Sequence, residues 1–266
     1  MVECARVADV SAALGIEGSG GLIAIVGGGG KSSLMFALAK ILPGRVVMTT
    51  TTRIFASQMN LAPAVCRLDE EDFEDRLESS DSSLLVVGEV EGDRAVGVSQ
   101  QLPARWLEHA SVDWVVVEAD GSRMLPVKAP AAHEPVVPRE TDLLVAVAGI
   151  DALAGPIRDV AHRPELVSAL SGLDADECLT PEALAEVLSS PQGGLKNLPD
   201  SARAALLLNK VETPDQLEDA RRVARAALVH ERVERVAIGA LMGRGLSSSR
   251  GPSDSRGPSS WEVWLR

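Results

Sequence analysis

The run Gly27-Gly28-Gly29-Gly30-Lys31-Ser32-Ser33 lies between the apolar stretch Leu22-Ile23-Ala24-Ile25-Val26 and the helical pattern Leu34-Met35-Phe36-Ala37-Leu38-Ala39. Glycines let backbone N–H groups turn toward an anion with no Cβ in the way. A helix beginning there adds its positive dipole end, and a lysine and two hydroxyls follow at once. Strand, glycine loop and helix in that order describe a phosphate cradle. A cradle that does chemistry also needs acid groups, and Glu118-Ala119-Asp120-Gly121-Ser122-Arg123 supplies them after Trp114-Val115-Val116-Val117. Carboxylates at the end of an apolar strand suit Mg2+, a hard cation that takes oxygen ligands, and the Gly121 N–H can face a terminal phosphate. Lys31, Glu118 and Asp120 are therefore the candidate catalytic residues. Either carboxylate can hold the metal while the other orients an attacking water or substrate.

The stretch Thr49-Thr50-Thr51-Thr52-Arg53 ends the next apolar run. Threonines at the carboxyl end of a parallel strand sit where α/β proteins bind ligands. Ser32 and Thr51 join Glu118 and Asp120 as candidate Mg2+ ligands, and Thr52 and Arg53 are candidates for touching phosphate. The Pro-rich loop from Lys128 to Pro138 leaves the same edge and carries Lys128, His133 and Glu134, while Arg163, beside His162, is a further candidate for reaching phosphate. The loop departs from the usual G-x-x-x-x-G-K-[ST] spacing, since Ile25 stands where glycine is required. Its shorter form resembles the phosphate loop of Mur-type peptide ligases and folylpolyglutamate synthases. Leu208-Asn209-Lys210-Val211-Glu212 resembles the guanine-reading N-K-x-D element of GTPases, with glutamate in place of aspartate. The extra methylene moves the carboxylate by about 1.5 Å, enough to weaken a site-built interaction. GTP and ATP both remain open.

Bulk properties bound the partners. A net charge of -12 opposes binding to nucleic acid, and 3% aromatic residues with no tyrosine leave little for bases to stack on. No apolar stretch is long enough to span a bilayer, and Met1-Val2-Glu3-Cys4-Ala5-Arg6 has no secretory pattern, so the expectation is a cytoplasmic protein without a membrane partner. Cys4, Cys66 and Cys178 are scattered, with no metal spacing.

These groups need a scaffold. The pattern predicts an α/β fold: a P-loop NTPase-like three-layer sandwich with a mostly parallel central sheet, built as one domain over 1–246. Expected elements are a helix over 5–14, a helix from Lys31 to Leu42, a strand over 45–50 and a hairpin of 84–87 with 95–98. A helix over 101–109, buried strands at 114–117, 143–147 and 205–208, and helices over 164–170, 181–188 and 214–230 follow, with a last strand near 233–237. Thr180-Pro181 and Thr213-Pro214 each pair an N-cap with proline at the first helical position. The Ser, Gly and Pro composition predicts a disordered tail over 247–266, although Trp261 to Leu265 could dock.

Together, the Gly27–Ser33 loop, the Thr49–Arg53 strand end, the Glu118–Arg123 run, the Lys128–Pro138 loop and Asn209-Lys210-Val211-Glu212 resemble the YqeC family. The likeness extends from about residue 8 to about residue 245. Here Gly27–Gly30 and Ser32-Ser33 stand where many relatives resemble G-A-G-G-K-T-T. The resemblance implies an accessory role in maturing selenium-dependent molybdenum hydroxylases, or selenium cofactor biosynthesis. It points to such a hydroxylase or its cofactor intermediate as partner. The resulting expectation is an Mg2+-dependent nucleotide-binding protein or NTPase. The phosphates fall to Gly27, Gly28, Gly29, Gly30, Lys31, Ser32, Ser33 and Gly121, and the base to Asn209, Lys210 and Glu212. The alternatives are a nucleotide-gated chaperone without small-molecule chemistry and a Mur-like ATP-dependent ligase.

Overall fold

The computed structural model describes residues 2–79, 82–241 and 260–266. The chain opens with strand β1 (Glu3–Val7) and helix α1 (Val10–Leu14), then runs through β2 (Gly21–Gly27), α2 (Lys31–Ile41) and β3 (Val46–Thr50). A smaller excursion holds β4 (Ile54–Phe55), α3 (Ala56–Met59), β5 (Val65–Arg67), α4 (Phe73–Ser79), β6 (Leu84–Val87), β7 (Val90–Glu91) and β8 (Arg94–Ala95). After α5 (Leu102–Trp106) come β9 (Trp114–Glu118), β10 (Val127–Lys128), β11 (Leu143–Gly149), a 3-10 turn (Ile150–Leu153), α6 (Ile157–Val160) and β12 (Ala161–His162). Helices α7 (Pro164–Ser171) and α8 (Pro181–Ser189) lead to β13 (Arg203–Asn209), α9 (Pro214–Ala227), β14 (Arg235–Ile238) and β15 (Trp261–Leu265).

Ten strands form the main sheet in the order β1-β15-β14-β13-β11-β2-β9-β3-β6-β5. Pairing is parallel from β14 through β5, and β15 is antiparallel to both of its neighbours. Because successive side chains point to opposite faces, Leu22, Ala24 and Val26 of β2 enter one apolar layer, and Ile23 and Ile25 enter the other. Helices α1 and α2 cover the second face, while α4, α5, α8 and α9 cover the first. Burial on both faces explains the unbroken apolar runs.

The topology reverses at β2. Strands β3, β5, β6 and β9 lie on one side of it, and β11, β13 and β14 on the other. The crevice at the carboxyl end of β2 is thus the place where α/β sheets take ligands. Register then aligns the chemistry: Ile25, Glu118 and Thr50 sit side by side across β2, β9 and β3, and Asn209 faces Gly149 across β13 and β11.

Three expectations need correction. Residues 5–14 do not form one helix, because Glu3–Val7 is an edge strand held by β15, a partner more than 250 residues distant that local periodicity cannot reveal. Leu84–Val87 is no hairpin arm: it is wholly buried between β3 and β5, and the hairpin consists of β7 and β8, joined by β4 in a separate small sheet. The predicted disordered tail does not extend over Trp261–Leu265, which enter the sheet between β1 and β14. Its low-complexity part, 247–259, lies outside the described residues. Both Thr-Pro caps form, and at α9 Thr213 and Gln216 complete a capping box.

Candidate functional site

The glycine loop closes onto the neighbouring strands rather than standing free. The Gly27 N–H donates to both Asp120 carboxylate oxygens at 3.1 Å. Gly28 N–H donates to the Val147 carbonyl and Gly29 N–H to that of Leu125. The expectation that all four glycines aim their amides at an anion therefore holds less widely than the sequence suggests. The open donors belong to the first turn of α2, whose N-cap Gly30 offers no side-chain bond and whose N–H groups from Lys31 to Ser33 have no intrahelical acceptor. Packing is the firmer reason for the glycines: a Cβ on Gly28 would meet the Leu125 carbonyl oxygen at 2.5 Å, and one on Gly29, where φ is 71°, would collide with Gly149.

Lys31 is the hub. Its side chain is 3% exposed, and the ammonium donates to the Gly27 carbonyl at 2.8 Å and lies 3.5 Å from Glu118 and 3.4 Å from Asp120. Burial pulls its pKa down, but the Asp120 and Glu118 charges more than offset this, so it lies above the ordinary lysine value and the side chain stays cationic. Ser32 Oγ donates to Glu118 Oε2 at 2.7 Å and accepts from Gln58 Nε2 at 2.8 Å. A lysine, a hydroxyl and a carboxylate thus converge below an uncapped helix end.

A second layer of charge continues inward. The Lys128 ammonium lies 3.1 Å from Asp120 and 2.6 Å from Glu134, and also donates to the Gly121 carbonyl. Arg163 forks onto Glu134 at 2.7 and 3.1 Å. Burial pushes the Glu134 carboxyl up, yet hydrogen bonds from Lys128 and Arg163 outweigh it and bring the pKa down to about 2. Desolvation, then the cations Arg163, Lys128 and Arg123, lower His162 to about 4, leaving a neutral imidazole.

The loop borders two cavities. The larger, about 750 Å³, is lined by Gly29 to Ser33, Thr52, Arg53, Glu118, Gly121, Arg123 and Arg163 among others. The smaller, about 400 Å³, is lined by Asp151, Asn209, Lys210, Glu212 and Leu241, and shares Gly29, Gly30, Ser33 and Lys210 with the first. Asn209 is buried, donates to the Gly29 carbonyl at 2.8 Å and accepts from Leu241 N–H at 2.9 Å. Its amide braces the glycine loop against the segment after β14. Lys210 pairs with Asp151 at 2.7 Å, and Glu212 is exposed at the rim.

Most of the expected residues therefore meet at one edge of the sheet. Thr51 differs: its hydroxyl donates to the Val136 carbonyl and does not line either cavity. Asp120 is 2% exposed, with both oxygens engaged by Gly27, Lys31 or Lys128. Arg53 stands at the rim in an exposed pair with Glu91, and the His133 side chain is 78% exposed and lines neither cavity. Gln58 and Asp151 escaped sequence reasoning, since nothing in the local pattern around either marks it. Cys66 is held up to about 12, first by burial and then by its bond to Glu70, which keeps it a thiol.

The protein is an α/β protein with a large, mostly parallel sheet and a charged glycine-loop site at its switch point. It belongs to the YqeC family: the family model described as YqeC protein matches residues 23–165. Over 201 residues it is 30% identical to a protein of Escherichia coli (strain K12) named "Uncharacterized protein YqeC", covering 74% of this chain and 78% of that one. The matched family segment carries the glycine loop, Glu118, Asp120, Lys128, Glu134 and Arg163.

Proposed function

We propose that the protein is an Mg2+-dependent nucleoside-triphosphate-binding protein with a P-loop-like cradle, acting as an NTPase in maturation of a selenium-dependent molybdenum hydroxylase. One observation carries the nucleotide reading. At the reversal point of the sheet, Lys31, Ser32 and Glu118 converge within hydrogen-bond or ion-pair reach below the uncapped start of α2. The selenium role is what membership of the family implies.

The donor set suits Mg2+, which prefers oxygen and takes one or two carboxylates together with phosphate. Among the described residues no group of three or more His, Cys, Asp or Glu side chains could hold a metal, so the phosphates would complete the coordination. Glu118 fits the metal role better than Asp120. It lines the large cavity and faces Ser32, whereas Asp120 is committed to the loop and to two lysines. Bound Mg2+ would neutralise charge developing on the phosphates. Lys31 would exchange the Gly27 carbonyl for phosphate oxygens, and the first-turn amides of α2 would hold the anion. The smaller cavity takes the base, with the Lys210 stem as one wall, Asn209 as a brace and Glu212 at the rim.

The test is Mg2+-dependent nucleotide hydrolysis by Glu118→Gln. A fall of roughly 100-fold with nucleotide affinity changed only modestly is expected for a group that acts on the metal and transition state. Unchanged turnover would remove Glu118 from that role.

A further inference from the structure

Besides the glycine loop, the larger cavity is lined by Arg123, Met124, His162 and Arg163. Its backbone is unusual. Among the described residues five non-glycine residues adopt positive φ, and four of them, Arg123 (52°), Met124 (65°), Arg163 (64°) and Lys210 (64°), line this cavity. Left-handed conformations outside glycine cost energy and persist where surrounding structure enforces them, which is common at binding sites. Arg123 is exposed and, among the described residues, forms no hydrogen bond or ion pair. Arg163 forks onto Glu134 but remains 21% exposed, facing the same space. Burial first, and then the charges of Arg163, Lys128 and Arg123, keep His162 neutral beside them.

Resting on the nucleotide reading above, we propose that this part of the cavity lining is a second oxyanion site, beside the glycine loop. Arg123, Arg163 and His162 receive the phosphate-like head of a small substrate there. A guanidinium fork matches a tetrahedral oxyanion, and a neutral imidazole can donate one N–H to it. The base has its own smaller cavity, so the larger one has room for the nucleotide's phosphates and a facing ligand. That arrangement favours an enzyme acting on a free small molecule over a chaperone gated by nucleotide alone.

Inorganic phosphate titrated into the full-length protein, followed by 31P NMR and calorimetry, tests this directly. Wild type is expected to bind two phosphates; Lys31→Ala loses one, and Arg123→Asn weakens the other about tenfold, as expected for loss of a charge-assisted hydrogen bond. Asparagine tolerates the left-handed backbone, so this variant keeps the fold. A non-hydrolysable nucleotide with Mg2+ displaces only the Lys31-dependent phosphate. An unchanged titration of Arg123→Asn overturns the proposal, as does displacement of both phosphates by nucleotide, which would make Arg123 part of the nucleotide site. A wild type that binds a single phosphate, unaffected by Lys31→Ala and weakened by Arg123→Asn, would sink the nucleotide reading and leave the second site standing.

Discussion

Two charge networks hold distant parts of this protein, and they are built on different terms. At the carboxyl edge of the sheet, Lys31, Glu118, Asp120, Lys128, Glu134 and Arg163 alternate in sign through a buried chain of contacts beside the large cavity. At the far side, Arg221 of α9 forks onto Glu262 of β15 at 2.8 Å for both bonds, Trp264 Nε1 also donates to Glu262, and Arg225 stacks over the Trp264 ring. The second network is partly exposed and self-contained, and it clamps the last strand to the body. The first is deeper and abuts space. Burying that many ions seldom stabilises a fold more than apolar packing would. The contrast fits the function proposed above, in which the charges around the glycine loop serve a ligand and those around β15 serve the fold.

Breaking the first network should cost most. Lys128→Met removes the cation that Asp120 and Glu134 share, at a position where the lysine side chain is 1% exposed, and leaves Lys31 alone to face Asp120 and Arg163 alone to face Glu134. A loss of about 3–5 kcal/mol in chemical denaturation is expected. A loss under 1 kcal/mol would show that the pairs are idle.

Acid should reveal the same network. Folding lowers the pKa of both His162, from 6.5 to about 4, and Glu134, from 4.5 to about 2. The unfolded chain therefore takes up these protons first as pH falls. Their contribution is complete above about pH 6.5, declines between 6.5 and 4 through His162, and declines again between 4.5 and 2 through Glu134. His162→Gln should flatten the upper part of the stability profile, an effect on the order of 1 kcal/mol after allowing for solvent screening. A profile that keeps its slope in that window would assign the titration elsewhere.

The β15 clamp should matter least. Arg221→Ala is expected to lower stability by about 1 kcal/mol, as for a fork whose arginine is 31% exposed and whose buried carboxylate keeps the Trp264 donor, while nucleotide affinity stays within twofold of wild type. A large change in nucleotide affinity would erase the distinction between the two regions.

How much of this could be read from the chain depends on range. The glycine loop, the buried runs at 114–117, 143–147 and 205–208, and the Thr-Pro caps are local signals, and each forms in place. Long-range pairing is hidden from local pattern: β1 is recognisable only through β15, and the buried run Leu84–Val87 resembles a hairpin arm because the turn residues Glu91-Gly92-Asp93 lie so near. Within the site, residue types were legible but their commitments were not. Nothing local says that Asp120 ties down Gly27, that Thr51 turns to the Val136 carbonyl, or that Gln58 reaches Ser32. Those contacts come from strand register and the β4–α3 excursion. The left-handed Arg123 and Arg163 were equally invisible, since arginine carries no sequence mark for that backbone region.

Everything proposed for the site depends on the glycine loop binding nucleotide phosphate through Lys31. Calorimetric titration of wild type and Lys31→Ala with non-hydrolysable GTP, ATP and CTP analogues in Mg2+ tests it most directly. One nucleotide per wild-type chain is expected, with at least a tenfold loss of affinity in the variant, as for removal of a charge-assisted hydrogen bond. Binding of none of the three nucleotides, or equal affinity in both proteins, would contradict it.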